Sequence, residues 1–480
     1  MPTTNTPRKP PDRPSGPADK RALARERARA AQRLRLALAM IEAIAENGYR
    51  ATRVADVIAR AGVSRKTFYE HFANKQECLL ATYDFVAEEG MRRVEQAYRE
   101  ADGWPGRVEA GIRALFDASI ENPGALRLSL VEIGSVGPAG IERRERSIDR
   151  YVSFLREGLE LAPGEGTVSE MTLKAIIGGI NRVLYRRRLR GEDAQLLAIV
   201  PDLVSWATSY YPTPASVLAE PRADAARGPR DAGGRDADGR ETGGKGILYG
   251  GRAPGTLSPH SRLNPRRGLP RGDQNISRSF VVHSQRERIL DAVANLTAAE
   301  GYAALNVEGI AEQAAVSLKA FYEHFAGKED AFLVAYEIGH GKGLAFAERA
   351  YTAESDWRLG VRAGFAALFE FMATEPSFAH IALIDALIAT ARTAERSNVG
   401  VQAFARMLVP RTEEAPGQGP VLAVTIEAIA GGVFELCLHY ALQGRIRELP
   451  ELTASATYLA LAPFLGPEEA ARIATDGQAP

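Results

Sequence analysis

The octapeptide FYEHFANK at residues 68–75 returns as FYEHFAGK at 321–328. SRKT precedes the first at 64–67 and SLKA the second at 317–320. Ser64, Arg65, Lys66, Thr67, Tyr69 and His71 gather hydroxyl, cationic, phenol and imidazole groups within one short stretch. That mixture suits phosphate oxygens and base edges. Ser317, Lys319, Tyr322 and His324 repeat the set, with Leu318 and Ala320 in place of Arg65 and Thr67, so the second stretch has fewer polar base readers and offers apolar contact with thymine methyls. Other roles stay open. Tyr69 and Tyr322 can simply pack, and the imidazoles of His71 and His324 can be tied up internally. Glu70 and Glu323 suit solvation or a neighbouring base better than a cytosine.

Such groups need rigid positioning, and the flanking pattern supplies it. A short helix over about 53–60 ends at Ala61-Gly62, where Gly62 can adopt the left-handed conformation that closes a helix. Ser64 then caps a second short helix through its hydroxyl. Two short helices joined by a tight turn form a helix-turn-helix, with Val57, Val63, Phe68 and Phe72 as its small core. The second copy has Ala315 where the turn prefers glycine, a cost of about 1 kcal/mol if that residue is left-handed.

The octapeptide belongs to a larger repeat. At an offset of 253 residues, 18 of the 40 pairs over 44–83 are identical. The register continues: Trp104 meets Trp357, Glu132 meets Asp385, and IIGG at 176–179 meets IAGG at 429–432. Each copy is therefore a whole domain rather than a solenoid unit. Apolar residues recur at three and four throughout, so the fold class is all-α, with about nine helices per copy, the first three short. Residues 1–20 are polar and proline-rich, and 213–278 are rich in Gly, Pro, Arg and Asp. Neither can bury enough surface to order itself.

The totals add bounds. The chain has 480 residues, with 60 Lys+Arg balanced by 60 Asp+Glu, so attraction to an acidic partner must come from local patches. One such patch is Lys20, Arg21, Arg25, Arg27, Arg29, Arg33 and Arg35, either a phosphate-binding arm or a solvated helix face. Copy two has the thinner set Arg278, Arg286 and Arg288. Cys78 and Cys437, the only cysteines, lie in helical patterns and suit a reducing cytosol. Val421–Leu438 is interrupted by Glu427 and Glu435 and reads as a buried helix, not a membrane span. There is no P-loop, GxSxG, HExxH or metal-spaced His/Cys set, and so no call for a catalytic residue, metal or cofactor.

The pattern Val57-Ile58-x-x-Ala61-Gly62-Val63-Ser64-x-x-x-Phe68-Tyr69-x-His71-Phe72-x-x-Lys75 resembles the DNA-binding domain of the TetR family of bacterial transcription regulators. It recurs as Ile310-Ala311-x-x-Ala314-Ala315-Val316-Ser317-x-x-x-Phe321-Tyr322-x-His324-Phe325-x-x-Lys328. Ile58 departs from the family's alanine and Ala315 from its glycine. The resemblance implies two tandem modules. Copy one comprises a helix-turn-helix domain (21–73) and a helical regulatory and dimerisation domain (74–212). Copy two repeats these as 279–326 and 327–466, followed by a C-terminal tail (467–480). It implies double-stranded DNA as partner, with Arg53, Ser64, Arg65, Lys66, Thr67, Tyr69, His71 and Lys75 as contacts. The equivalents in copy two are Asn306, Ser317, Lys319, Tyr322, His324 and Lys328.

The implied function is a cytoplasmic, sequence-specific transcription regulator, a ligand-responsive repressor acting on an asymmetric operator. An adaptor with one or both heads degenerate is the alternative. Family members dimerise through their last two helices, here about 168–190 with 195–211, and 420–444 with 450–464. Gly178-Gly179 and Gly431-Gly432 mark a close helix contact there, or else a bend. The two copies can pair with each other as a covalent pseudo-dimer, or like copies can pair between chains. For a small-molecule effector the candidates are Trp104, Phe116, Glu132, Trp357, Phe365, Phe369, His380 and Asp385, with Leu128, Phe346, Met372 and Phe378 beside them. The aromatics can equally be core, and Glu132 and Asp385 can cap a helix or pair with an arginine.

Overall fold

The computed structural model describes residues 17–160, 168–214, 278–408 and 420–475. Residues 1–16 of the expected tail and 215–277 of the expected linker lie outside these. Every described element is helical. Copy one holds α1 (Pro17–Ala51), α2 (Val54–Ala61), α3 (Arg65–His71), α4 (Lys75–Glu100), α5 (Gly103–Glu121), α6 (Pro123–Leu130), α7 (Pro138–Glu160), α8 (Glu170–Leu189) and α9 (Val200–Thr208). Copy two holds α10 (Arg278–Glu300), α11 (Val307–Gln313), α12 (Leu318–His324), α13 (Lys328–Ala353), α14 (Trp357–Thr374), α15 (Pro376–His380), a π-helical turn Ile381–Asp385, α16 (Ala391–Ala405), α17 (Pro420–Leu442), α18 (Thr453–Leu465) and α19 (Pro467–Thr475).

Two expectations need correction. The first helix of each copy is long, because nothing before Gly48 or Gly301 breaks it. Gly48, at φ 71° and ψ 161°, kinks α1 near its end. Residues 467–475 are the helix α19 rather than a tail, since Ala470, Ala471, Ile473 and Ala474 make an apolar face that is buried.

The chain divides into two compact bodies, and the division does not follow the repeat. The first holds residues up to Glu88 with 122–133, so it takes in the start of α4 and all of α6 besides the helix-turn-helix. Its core is Leu36, Met40, Ile44, Val57, Phe68 and Phe72. At Gly124 a side chain would sit 3.0 Å from the carbonyl of Ile41, so glycine lets α6 lie directly on α1.

The second body holds residues 89–121 and everything from 134 onward. At its centre α8 packs along α17, the most extensive helix pair among the described residues. A Cβ at Gly179 would lie 2.5 Å from the Ala428 carbonyl, and one at Gly432 would lie 2.7 Å from that of Ala175. Likewise Gly178 faces Glu435 while Gly431 faces Arg182. Each contact has its mate 253 positions on, the reciprocity of a two-fold interface. Of the two readings of the glycine pairs, close helix approach is the one the contacts support. Tyr210 and Tyr458 close the far end: the Tyr210 hydroxyl donates to the Leu459 carbonyl (2.9 Å) and the Tyr458 hydroxyl to that of Tyr210 (3.2 Å).

Ala423–Leu442 is long and apolar enough to span a membrane, but it is mostly buried within this packing. Glu427 is paired with Arg186 at 2.9 Å and Glu435 with Arg144 at 2.6 Å. Cys78 and Cys437 are free, buried thiols, each pushed up to about 12 by burial.

Gly179→Ala and Gly432→Ala should each lower stability by about 1–3 kcal/mol through overpacking, seen as a lower denaturant midpoint. Gly341→Ala is the control. It lies inside α13 with nothing within 4 Å of a new Cβ, and should raise stability by about 0.5–1 kcal/mol.

Candidate functional site

The two helix-turn-helix units are built alike. In copy one Gly62 closes α2 in the left-handed region (φ 62°, ψ 39°), and the Ser64 hydroxyl accepts from the Thr67 backbone N–H (3.0 Å) to start α3. Arg53 stands at the start of α2, where its own backbone N–H donates to Asp56 (2.7 Å). In copy two Asn306 takes that position and its carbonyl oxygen accepts from the Gly309 N–H (2.8 Å). Ser317 caps α12 through Ala320 (3.1 Å).

Above these turns α3 presents Arg65, Lys66, Tyr69 and Glu70 to solvent. Tyr69 is 46% exposed, too open for a packing role alone, and the Arg65 guanidinium lies over its ring at 5.7 Å. Lys66 is 3.9 Å from Glu70 in an exposed pair of little energetic weight. Thr67 is partly covered and its hydroxyl is bonded to Ser64 at 2.9 Å. On α12 Lys319, Leu318 and Tyr322 are exposed, Tyr322 by 57%. Ala320 is buried, which corrects the expectation that it reads a thymine methyl.

Two pairs of expected contacts are placed inward. His71 is 7% exposed and its Nε2 lies 3.1 Å from Gln32 Oε1. His324 is half-buried, 3.4 Å from Gln285 across the same separation of 39 residues. Both imidazoles therefore fix α3 and α12 to the preceding long helix. Lys75 donates to the carbonyls of Tyr49 (2.9 Å) and Thr52 (2.8 Å) and sits 4.2 Å from the Tyr49 ring centroid. Lys328 donates to Leu305 (2.7 Å) beside the Tyr302 ring. The lysines thus tie the end of the first helix to the long fourth one. The repeated spacings Gln32–His71 and Gln285–His324 were a signal available in the sequence.

The basic surroundings differ between the copies. Arg21, Arg25, Arg27, Arg29, Arg33 and Arg35 are all exposed on α1. In copy two Arg288, the counterpart of Arg35, is buried and donates to the carbonyls of Ala314 (3.0 Å) and Ala315 (3.1 Å). Ala315 has φ 51°, the one positive φ outside glycine among the described residues. The arginine holds the turn that glycine would have made without strain, so it leaves the set of surface cations.

The expected ligand residues are scattered. Trp104 lines a small, largely apolar pocket in copy one with Tyr98, Ile112, Phe154 and Ile177. Among the described residues neither the Tyr98 hydroxyl nor the Trp104 indole N–H has a hydrogen-bond partner. Phe369, Met372 and Phe378 line a second in copy two, where Tyr336, His340, Ser397 and Phe434 were not foreseen. Tyr336 and His340 stack at 5.7 Å, and burial holds the imidazole below its ordinary value.

Phe116, Leu128, Trp357 and Phe365 are core, and Phe346 is a surface ring stacked on Phe371. Glu132 accepts from Arg127 (3.0 Å) beneath Gly48. Asp385 accepts from the Tyr302 N–H (3.1 Å) and pairs with His380 (2.8 Å). Both acids, with His380, brace the end of the first helix and are not cavity groups.

Arg288→Met should cost copy two about 1–3 kcal/mol by stranding two carbonyls, while Arg35→Met on the exposed face should stay within about 0.5 kcal/mol; Ala315→Gly should shrink the first loss. Urea midpoints of the three variants check this. A second expectation concerns pH. His71 is held below its ordinary 6.5 by burial and then by Arg29 and Arg33; His324 likewise, by burial and Arg286. The unfolded chain therefore binds protons more readily, so stability is full above about pH 6.5 and falls as pH drops through the lowered values. His71→Asn should flatten the part of that loss due to copy one.

The model for bacterial regulatory proteins of the tetR family matches at two places, residues 39–82 and 289–335. These are the two helix-turn-helix units. The HTH-type transcriptional activator FasR of Mycolicibacterium smegmatis is 33% identical over 86 residues, covering 18% of this chain and 39% of that protein. The fatty acid metabolism regulator protein of Bacillus subtilis is 34% identical over 62 residues, 13% of this chain and 32% of that one. The chain thus spans about a third of the length of these curated relatives. The crystal structure of FadR from Bacillus subtilis with stearoyl-CoA is 18% identical, covering 36% of this chain and 96% of that one, at a TM-score of 0.34. With the matched domain recurring at a fixed offset, this protein carries the DNA-binding domain of the tetR family of bacterial regulatory proteins twice in tandem.

Proposed function

We propose that the chain is a sequence-specific DNA-binding transcription regulator in which the two copies pair with each other as a covalent pseudo-dimer. The observation that carries this reading is the exposed face Arg65, Lys66 and Tyr69 on α3, flanked by six exposed arginines on α1. Cations there suit phosphates, and the short helix with its exposed side chains suits a major groove. The reciprocal contacts of α8 and α17 support the pairing. Copy two, with Arg288 turned inward and Ala320 buried, contributes less, so the operator is asymmetric. The regulator acts as a repressor that an effector releases. The cavities favour a largely apolar effector with one hydrogen-bonding group. That group would be met by Tyr98 and Trp104 in copy one, or by His340, Tyr336 and Ser397 in copy two.

Duplexes selected from a random pool should include a preferred sequence bound by the full chain. Tyr69→Ala or Lys66→Ala should weaken that binding by roughly tenfold or more, and Tyr322→Ala by less, in fluorescence anisotropy at fixed salt. Lys66→Ala should also reduce the slope of log affinity against log salt by about 1. Selection that yields no preferred sequence would overturn the reading.

A further inference from the structure

The helices that meet in the seam carry opposite charges at equivalent positions. Lys174 on α8 corresponds to Glu427 on α17, and Arg182 to Glu435, each 253 residues on. Both glutamates are buried, 6% and 8% exposed at the side chain, and among the described residues both are answered from copy one. Arg186 reaches Glu427 (2.9 Å) with Arg187 behind it (3.7 Å), and Arg144 reaches Glu435 (2.6 Å). His439 of α17 pairs with Glu145 of α7 at 2.6 Å. Arg182 lies 4.8 Å from the centroid of the Phe434 ring.

We infer that this seam is heterotypic: the basic face of copy one fits the acidic face of copy two, and like copies cannot pair through it. The inference rests on reading the seam as the chain's pairing surface, and it is independent of DNA binding. The two-fold reciprocity allows each alternative to be worked out residue by residue. In a pair of copies one, Lys174 takes the place of Glu427 and faces Arg186. Arg182 takes the place of Glu435 and faces Arg144. Both carboxylate pairings become contacts between like charges; only the place of His439, taken by Arg186 opposite Glu145, keeps opposite signs, and Lys174 is eased in part by Asp149 (3.2 Å) of its own copy.

In a pair of copies two, the place of Arg144 is taken by Ser397 and that of Arg186 by His439. Glu435 then meets a hydroxyl and Glu427 an imidazole, and two carboxylates per half stay out of water without a guanidinium. An uncompensated buried charge costs far more than a matched pair returns, so the seam selects by penalising the wrong partner. The surface that fits copy one is therefore copy two, in its own chain or reciprocally in a second chain.

The test uses the full chain with a protease site inserted within 215–277, cut after assembly. Native mass spectrometry without DNA should show only complexes with equal numbers of the two halves, also after mixing with an isotope-labelled, equally cut sample. A complex of two copies one, or of two copies two, overturns the inference. Glu435→Arg should speed exchange of the halves on the order of 100-fold, the loss expected for a broken buried pair. Adding Arg144→Glu should recover most of it. A single variant that exchanges no faster than the parent, or a double variant with no recovery, overturns the inference, and the recovery separates a charge effect from misfolding. Loss of DNA binding with the equal-numbered complex intact would sink the proposed function and leave the seam as described.

Discussion

The close approach of α8 and α17 at their paired glycines sets the terms for most of the larger body. With no Cβ at Gly179 and Gly432, the carbonyls of Ala428 and Ala175 occupy the space a side chain would need. Backbones that near leave no room for water, so charged groups beside the contact are desolvated and must find partners. Glu427 shows the tension: burial raises its pKa while Arg186 and Arg187 pull it down, and burial prevails. Glu145 shows the opposite balance, since His439 and Arg144 more than offset its burial. The ion pairs are thus a consequence of the glycines, and the selectivity of the seam a consequence of the ion pairs.

The same two helices also wall the cavities. Ile176, Ile177, Ile180 and Asn181 of α8 line the first, and Ala430, Val433, Phe434 and Cys437 of α17 line the second. Each helix therefore has one face against its counterpart and another against empty space. Close-packed interiors transmit displacement instead of absorbing it, and the cavity walls and the seam share these two helices. Phe434 makes the link most direct, since it lines the second cavity and carries Arg182 of copy one above its ring.

The sequence was legible where local chemistry decides the outcome. Gly62 in the left-handed region, Ser64 and Ser317 as caps, and the strained Ala315 all follow from neighbours within four residues. It was illegible where a side chain chooses a distant partner. Lys75 sits in the motif at a position that suits a phosphate, yet its partners Tyr49 and Thr52 lie 26 and 23 residues away; for His71 only the repeated spacing to Gln32 hinted at an internal partner. Glu435 was read only as an interruption of an apolar run, because Arg144 is 291 residues off. The aromatics of copy two are candidates for a ligand box by type alone, with core packing the open alternative. Phe365 stacks on Phe369 and packs against Phe404, and nothing in the spacing distinguishes the ring that meets a cavity from the ring behind it.

Covalent tandem duplication changes what each half must preserve. In a dimer of identical chains every substitution appears twice, and a face complementary to its own copy cannot become uniformly basic or uniformly acidic. Two linked copies escape that restriction, and here they have used it. At two positions of the seam a cation of copy one answers a carboxylate of copy two. The heads have separated as well: copy one keeps glycine at its turn and its arginines in solvent, whereas copy two carries Ala315 and uses Arg288 to hold it. If the seam is heterotypic as inferred, it also keeps two copies of the second head from being paired together.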